Sequence, residues 1–177
     1  MLTDKQRGVL RGMAAGLGLS ALALAAAIAA PPAAWLPAPG AAEALAQALR
    51  WDVLVAACLA VNVGVLARHR FFTPEDIDGG GVSRNTPRAG VLQATLQNTL
   101  EQAVLALGTH AAWAATMPAA WQAAVPAAAL LFVAGRLLFW RGYARGAPAR
   151  ALGFALTFYP SVVMLLLLAA SGLRGCH

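Results

Sequence analysis

The sequence predicts an all-α fold, an integral membrane bundle of helices, and three features of its 177 residues point there. Hydrophobic residues make up 60% of the chain and charged ones only 11%, where soluble domains carry about a quarter charged residues. Long uncharged stretches recur, each close to the roughly 20 residues that one helical crossing needs. The 13 basic and 7 acidic residues leave a net charge of +6, and the basic ones fall in short clusters between the apolar stretches, the layout of a multi-span protein. No nucleic-acid partner is expected, because no soluble basic face is available to form. Cys58 and Cys176 sit in an apolar run and at the C-terminus, which gives neither a disulfide framework nor a metal motif.

Taken in order, the first span is predicted over residues 12–36, since no charge falls between Arg11 and Glu43. Its basic start and alanine-rich end also fit a signal peptide, but the apolar run exceeds a typical signal core, so an uncleaved helix is favoured. Gly12 and Gly16 form a GxxxG pair within it. The second span covers 44–67 and the third 91–116, interrupted by Glu101 and stopped by Met117-Pro118. A fourth runs over 118–140, with Pro126 as a kink or late start, and the last over 151–173, with Tyr159-Pro160 marking a kink. Trp35, Trp51, Trp113, Trp121 and Trp140 all lie near these ends, where indole rings favour the membrane interface. Ten basic residues (Lys5, Arg7, Arg11, Arg68, Arg70, Arg84, Arg88, Arg141, Arg145, Arg150) then share one side, which places the N-terminus in the cytoplasm. Residues 1–40 are read as an N-terminal transmembrane helix added to a four-helix membrane domain at 41–177.

The polar loop 68–90 contains Thr73-Pro74-Glu75-Asp76, a composition that starts a single helical turn with Thr73 as its cap. Gly79-Gly80-Gly81 ends that turn. Asp76 and Asp78 resemble the opening of a calcium loop, but its later ligands are missing. No His, Cys or carboxylate cluster has metal-ligand spacing.

Polar groups at membrane depth are costly, so they mark packing or function. Gln93, Gln97 and Glu101 recur every four residues, with Asn98 and Gln102 beside them, which makes a polar stripe on one half of the third helix. Arg136 and Tyr143 are seven residues apart and share a face of the fourth helix. Arg150 opens the fifth. Within one chain, Glu101 and Arg136 could simply neutralise each other between helices. Alternatively, these groups line a cleft where a charged cosubstrate meets an apolar partner from the bilayer. His110 reads as a packed histidine and Cys58 as a small core residue.

The segments Gln97-Asn98-Thr99-Leu100-Glu101 and Gly135-Arg136…Gly142-Tyr143-Ala144-Arg145…Arg150 resemble the two signatures of the membrane-associated proteins in eicosanoid and glutathione metabolism (MAPEG). The resemblance covers about residues 50–173. It implies a four-helix unit assembled as a homotrimer, with glutathione as cosubstrate between subunits and a lipophilic small molecule as the other substrate. It further implies that Asn98, Glu101 and Tyr143 contact glutathione, with Gln97 nearby, and that Arg136 holds a glutathione carboxylate or braces Glu101. Arg150 matches the arginine that stabilises the thiolate, while Arg68 or Arg70 matches the basic end of the family's first helix. Two positions depart from the pattern: Ala94 replaces an arginine one turn before the motif Asn, and Phe139 replaces a tyrosine three residues after the motif Arg. The expected activity is conjugation of glutathione to, or reduction by glutathione of, a lipophilic electrophile in a bacterial cytoplasmic membrane. The rival is a catalytically silent scaffold or lipid-binding relative.

Overall fold

The computed structural model describes residues 2–38, 40–80, 82 and 85–174, without the side chains of Leu173 and Arg174. Gly81, Arg84 and Cys176, and the side chain of Arg174, therefore lie outside the described residues. The described chain forms five long helices: α1 (Asp4–Ala29), α2 (Ala41–Phe72), α3 (Pro87–Thr116), α4 (Ala124–Tyr143) and α5 (Ala147–Arg174).

Local chemistry sets the boundaries and moves several from their expected places. α1 starts eight residues earlier than expected because Thr3 and Gln6 form a reciprocal cap, which satisfies the first free backbone N–H groups. It stops before Pro31-Pro32, and Ala33–Trp35 is a separate 3₁₀ turn. Thr86 caps α3 by accepting from the Ala89 N–H at 3.2 Å, with Pro87 at the first helical position. After Pro118 the chain makes another 3₁₀ turn, Ala119–Trp121, before α4 begins, so Pro126 marks a late start. α5 follows Gly146, whose φ of +99° suits glycine in a tight reversal, and it continues through Pro160.

Four of the described helical segments are long and apolar enough to cross a membrane, one each at α1, α2, α4 and α5. α3 is as long as these but carries the polar stripe, and it lies along α2. α4 is the most enclosed helix, with Ala124, Val125, Ala128, Ala129 and Phe132 almost fully buried. α1 and α5 run parallel, because Gly8 faces Pro148, Gly12 faces Ala151 and Gly16 faces Ala155. A Cβ on Gly12 would lie 2.8 Å from that of Ala151, so the GxxxG pair forms a seam within the chain. α4 and α5 meet as closely: a Cβ on Gly153 would sit 2.7 Å from the Gly135 carbonyl oxygen.

Trp113 lies three residues before the end of α3 and is fully buried in the protein; it stacks on Trp121, and its indole N–H donates to the Trp121 carbonyl at 3.0 Å. The ring tolerates burial because its one donor is satisfied.

Between α2 and α3 the loop is tied by Asp76, the last residue of the predicted turn, a 3₁₀ helix at Pro74–Asp76. Thr73 precedes that turn without a side-chain capping bond. The Asp76 carboxylate accepts from the Thr86 backbone N–H at 2.8 Å and the Thr86 hydroxyl at 2.6 Å, and lies 3.0 Å from His69 Nε2. The Thr86 bonds, with a lesser contribution from His69, hold the Asp76 carboxyl below its usual range. A lowered carboxyl pKa stabilises the folded loop above the unfolded value of about 3.9 and loses that contribution as pH falls through the lowered one. Protection of the Thr86 N–H from hydrogen exchange, corrected for intrinsic rate, should therefore hold from neutral pH to about pH 4 and fall below it. Asp76→Asn should lower that protection at neutral pH; equal protection in the variant would contradict the clasp.

Candidate functional site

The site is built around Arg136, whose side chain is fully buried on α4. Its Nη1 donates to Asn98 Oδ1 at 2.9 Å and Thr99 Oγ1 at 3.4 Å, both on α3, and its Nη2 donates to Thr157 Oγ1 on α5 at 2.6 Å. The two threonines accept readily because their own hydroxyls donate to carbonyls, Thr99 to Thr95 and Thr157 to Phe154. The guanidinium also lies 4.5 Å from the Phe139 ring centroid. Phe139 packs edge-on against Tyr143, and the Arg150 guanidinium sits 4.3 Å over the Tyr143 ring. Arg136, Phe139, Tyr143 and Arg150 thus form one column of two adjacent rings with a cation at each end, each cation attracted to a ring face.

Beside this column opens a cavity of about 350 Å³, lined among others by Asn98, Phe139, Tyr143, Arg150 and Phe154. That volume lies within the ~300–1,000 Å³ of small-molecule sites. Asn98 spends its carbonyl oxygen on Arg136, which leaves its amide as the donor toward the cavity. Arg150 is half-buried there, and no carboxylate pairs with it among the described residues.

Three sequence-predicted residues, Asn98, Tyr143 and Arg150, therefore meet in one cavity. The others fall elsewhere. Arg136 stands behind the cavity wall and positions Asn98, and it does not brace Glu101. Each residue turns the helix by about 100°, so Glu101 points about 200° away from Thr99, which faces Arg136. Glu101 is exposed, and its carboxylate accepts from Gln97 Nε2 at 3.0 Å. Arg68 is exposed over the Phe72 ring, whereas Arg70 donates to Gln93 Oε1 at 2.9 Å.

Several partners escaped sequence reasoning. Thr157 is one of a few hydroxyl residues in an otherwise apolar helix, and nothing in the sequence separates it from Ser161 as the partner of Arg136. Val9 and Met13 of α1 also line the cavity, yet nothing separates them from other lipid-facing residues in sequence. His110 is packed as expected, but its partner was missed: Nδ1 lies 2.6 Å from the buried Asp52 carboxylate on α2. That pair lies on the far half of the bundle from Arg150.

No curated protein and no solved structure matches this chain. The sequence profile of the MAPEG family does, over residues 45–170. That range covers most of the chain and begins in α2, leaving α1 outside it. Four long apolar helices and this match make the chain a multi-pass membrane protein belonging to the MAPEG family, the membrane-associated proteins of eicosanoid and glutathione metabolism.

Proposed function

We propose that the chain binds glutathione in the cavity beside the cation–aromatic column and activates its thiol next to Arg150 for attack on a lipophilic electrophile. The convergence of Asn98, Tyr143 and Arg150 from three helices carries this reading. A free thiol titrates near 8.5, and a nearby cation lowers that value. Each unit lowered corresponds to about 1.4 kcal/mol. Arg150 suits the task because it keeps its charge at all working pH values and has no carboxylate to neutralise it among the described residues. The thiol proton passes to solvent, and the thiolate forms the carbon–sulfur bond as the electrophile's leaving group departs with the bonding pair. Alternatively, two glutathione thiols reduce a hydroperoxide to alcohol and water and end as the disulfide. Asn98 and Tyr143 orient the tripeptide through hydrogen bonds.

The exposed Glu101–Gln97 pair supports assembly from several copies. A carboxylate facing lipid at membrane depth is costly, and a second copy of the chain covering that face of α3 removes the cost. A homotrimer would then place Glu101 at a subunit boundary, where it could reach glutathione held by its neighbour. The basic helix ends, which carry Lys5, Arg7, Arg11, Arg141, Arg145 and Arg150, support a site at the cytoplasmic face of the membrane, by the positive-inside bias. Residues 1–40 then supply an added transmembrane helix to the four-helix domain at 41–177.

Titrating the purified protein with glutathione while following ultraviolet thiolate absorbance tests the reading. Saturable thiolate formation, lost in Arg150→Ala without a change in assembly, is the expected result; unchanged thiolate in that variant removes Arg150 from the role. No binding at millimolar glutathione would favour a catalytically silent member, with Ala94 and Phe139 as the residues that retired the site. Native mass spectrometry should read three copies per particle, and a monomer would contradict the assembly.

A further inference from the structure

The cavity beside Arg150 has one wall from outside the family-matched range. Val9 and Met13 of α1 line it together with Ala147 of α5. The same three residues also line a second, almost wholly apolar cavity of about 380 Å³, which reaches Leu2, Lys5 and Leu10. Leu2 and Leu10 are exposed on the bundle's outer surface. The two spaces therefore share a partition of three side chains, with a cationic, hydrogen-bonding end at Arg150, Tyr143 and Asn98 and an apolar end that follows α1 toward Leu2 and opens at the surface of the bundle.

This wall is held in place. Gly8 against Pro148 and Gly12 against Ala151 bring α1 and α5 into contact on either side of Val9 and next to Met13. A Cβ on Gly8 would lie 2.9 Å from that of Pro148, so α1 cannot move closer without displacing α5. Met13 is itself half-buried and unbranched, a side chain that adapts to what passes it.

We propose that α1 completes the site: Val9 and Met13 form the apolar wall that receives an alkyl segment of the electrophile and determine which lipophilic substrates reach the thiol. The occupant follows from the shape and chemistry of the two spaces. A molecule lying across them has a reactive polar end near Arg150 and an alkyl part held against Met13, Val9 and Leu10 of α1. The second space is walled by Leu2, Val9, Leu10, Met13 and Ala147, side chains that suit an alkyl segment. This inference rests on the glutathione reading for its polar end, and its apolar end stands on α1 alone.

Two measurements in lipid nanodiscs separate the parts. The first compares S-methylglutathione with S-hexylglutathione by calorimetry, since each joins both ends in one molecule. Burial of the extra methylenes against the wall should make the hexyl compound bind at least about tenfold tighter. Met13→Trp should erase that advantage, bringing the ratio of the two affinities measured in the same variant to about one, a tenfold ratio being about 1.4 kcal/mol. An undiminished advantage in both Met13→Trp and Val9→Trp would overturn the wall. The second measurement needs no thiol: an n-alkyl diazirine loses nitrogen on illumination and inserts into nearby C–H bonds. Adducts concentrated on Val9, Met13 and Ala147 over the lipid-facing Leu17 and Leu22 support the wall; evenly spread adducts overturn it. Failure of S-methylglutathione to bind would remove the glutathione reading, and photolabelling would still decide the role of α1.

Discussion

Burying the Arg136 guanidinium is the constraint on which the rest of the site depends. A cation at membrane depth costs at least about 2.5–3.5 kcal/mol even where it can relax toward water, and Arg136 lies about 10 Å inside the end of α4 at 1.5 Å per residue. The structure offsets that cost with oxygens from two neighbouring helices and the rings of Phe132 and Phe139. Asn98 and Thr99 come from α3, Thr157 from α5 and Phe139 from α4 itself. These contacts need α4 and α5 to approach closely, which the facing Gly135 and Gly153 allow. One buried charge thus fixes the mutual positions of three helices.

The same arrangement separates two arginines that look equivalent in a hydropathy plot. Arg136 is enclosed, and it acts on the cavity only through the oxygen of Asn98. Arg150, fourteen positions later, opens α5 and faces the cavity from above the Tyr143 ring. The proposed thiolate role suits the arginine whose charge is left free, whereas the charge of Arg136 is consumed by the protein in joining helices. Phe139 links the two, since its ring contacts both Arg136 and Tyr143. A tyrosine at that position would carry a hydroxyl into this buried contact.

Much of this was legible in the sequence because membrane helices obey few rules. Apolar length pointed to the helices, the positions of Arg and Lys to their common end, and the resemblance of the segments holding Asn98, Tyr143 and Arg150 to the family signatures pointed to the groups that meet. Boundaries at Thr3 and Ala124 shifted because caps and 3₁₀ turns are decided by local hydrogen bonds that hydropathy does not register. The direction of the α3 stripe was less legible. A four-residue repeat shows that Gln97 and Glu101 share a face, but not whether it points into the chain or out of it. The wall formed by Val9 and Met13 was invisible for a deeper reason: an apolar residue against a cavity and one against lipid are the same residue in sequence. Only the Gly8, Gly12 and Gly16 seam with α5 places that wall.

Calorimetric unfolding of Arg136→Met beside the wild-type protein tests the central claim most directly. If Arg136 holds the bundle together, the variant leaves the Asn98 and Thr157 oxygens without their buried donor, at about 1–3 kcal/mol for each group left unpaired. The account predicts a markedly lower unfolding temperature in the variant, with wild-type stability preserved in Arg150→Met. Equal unfolding temperatures for Arg136→Met and wild type, with glutathione binding lost, would show instead that Arg136 serves the ligand and that the helices hold their places without it.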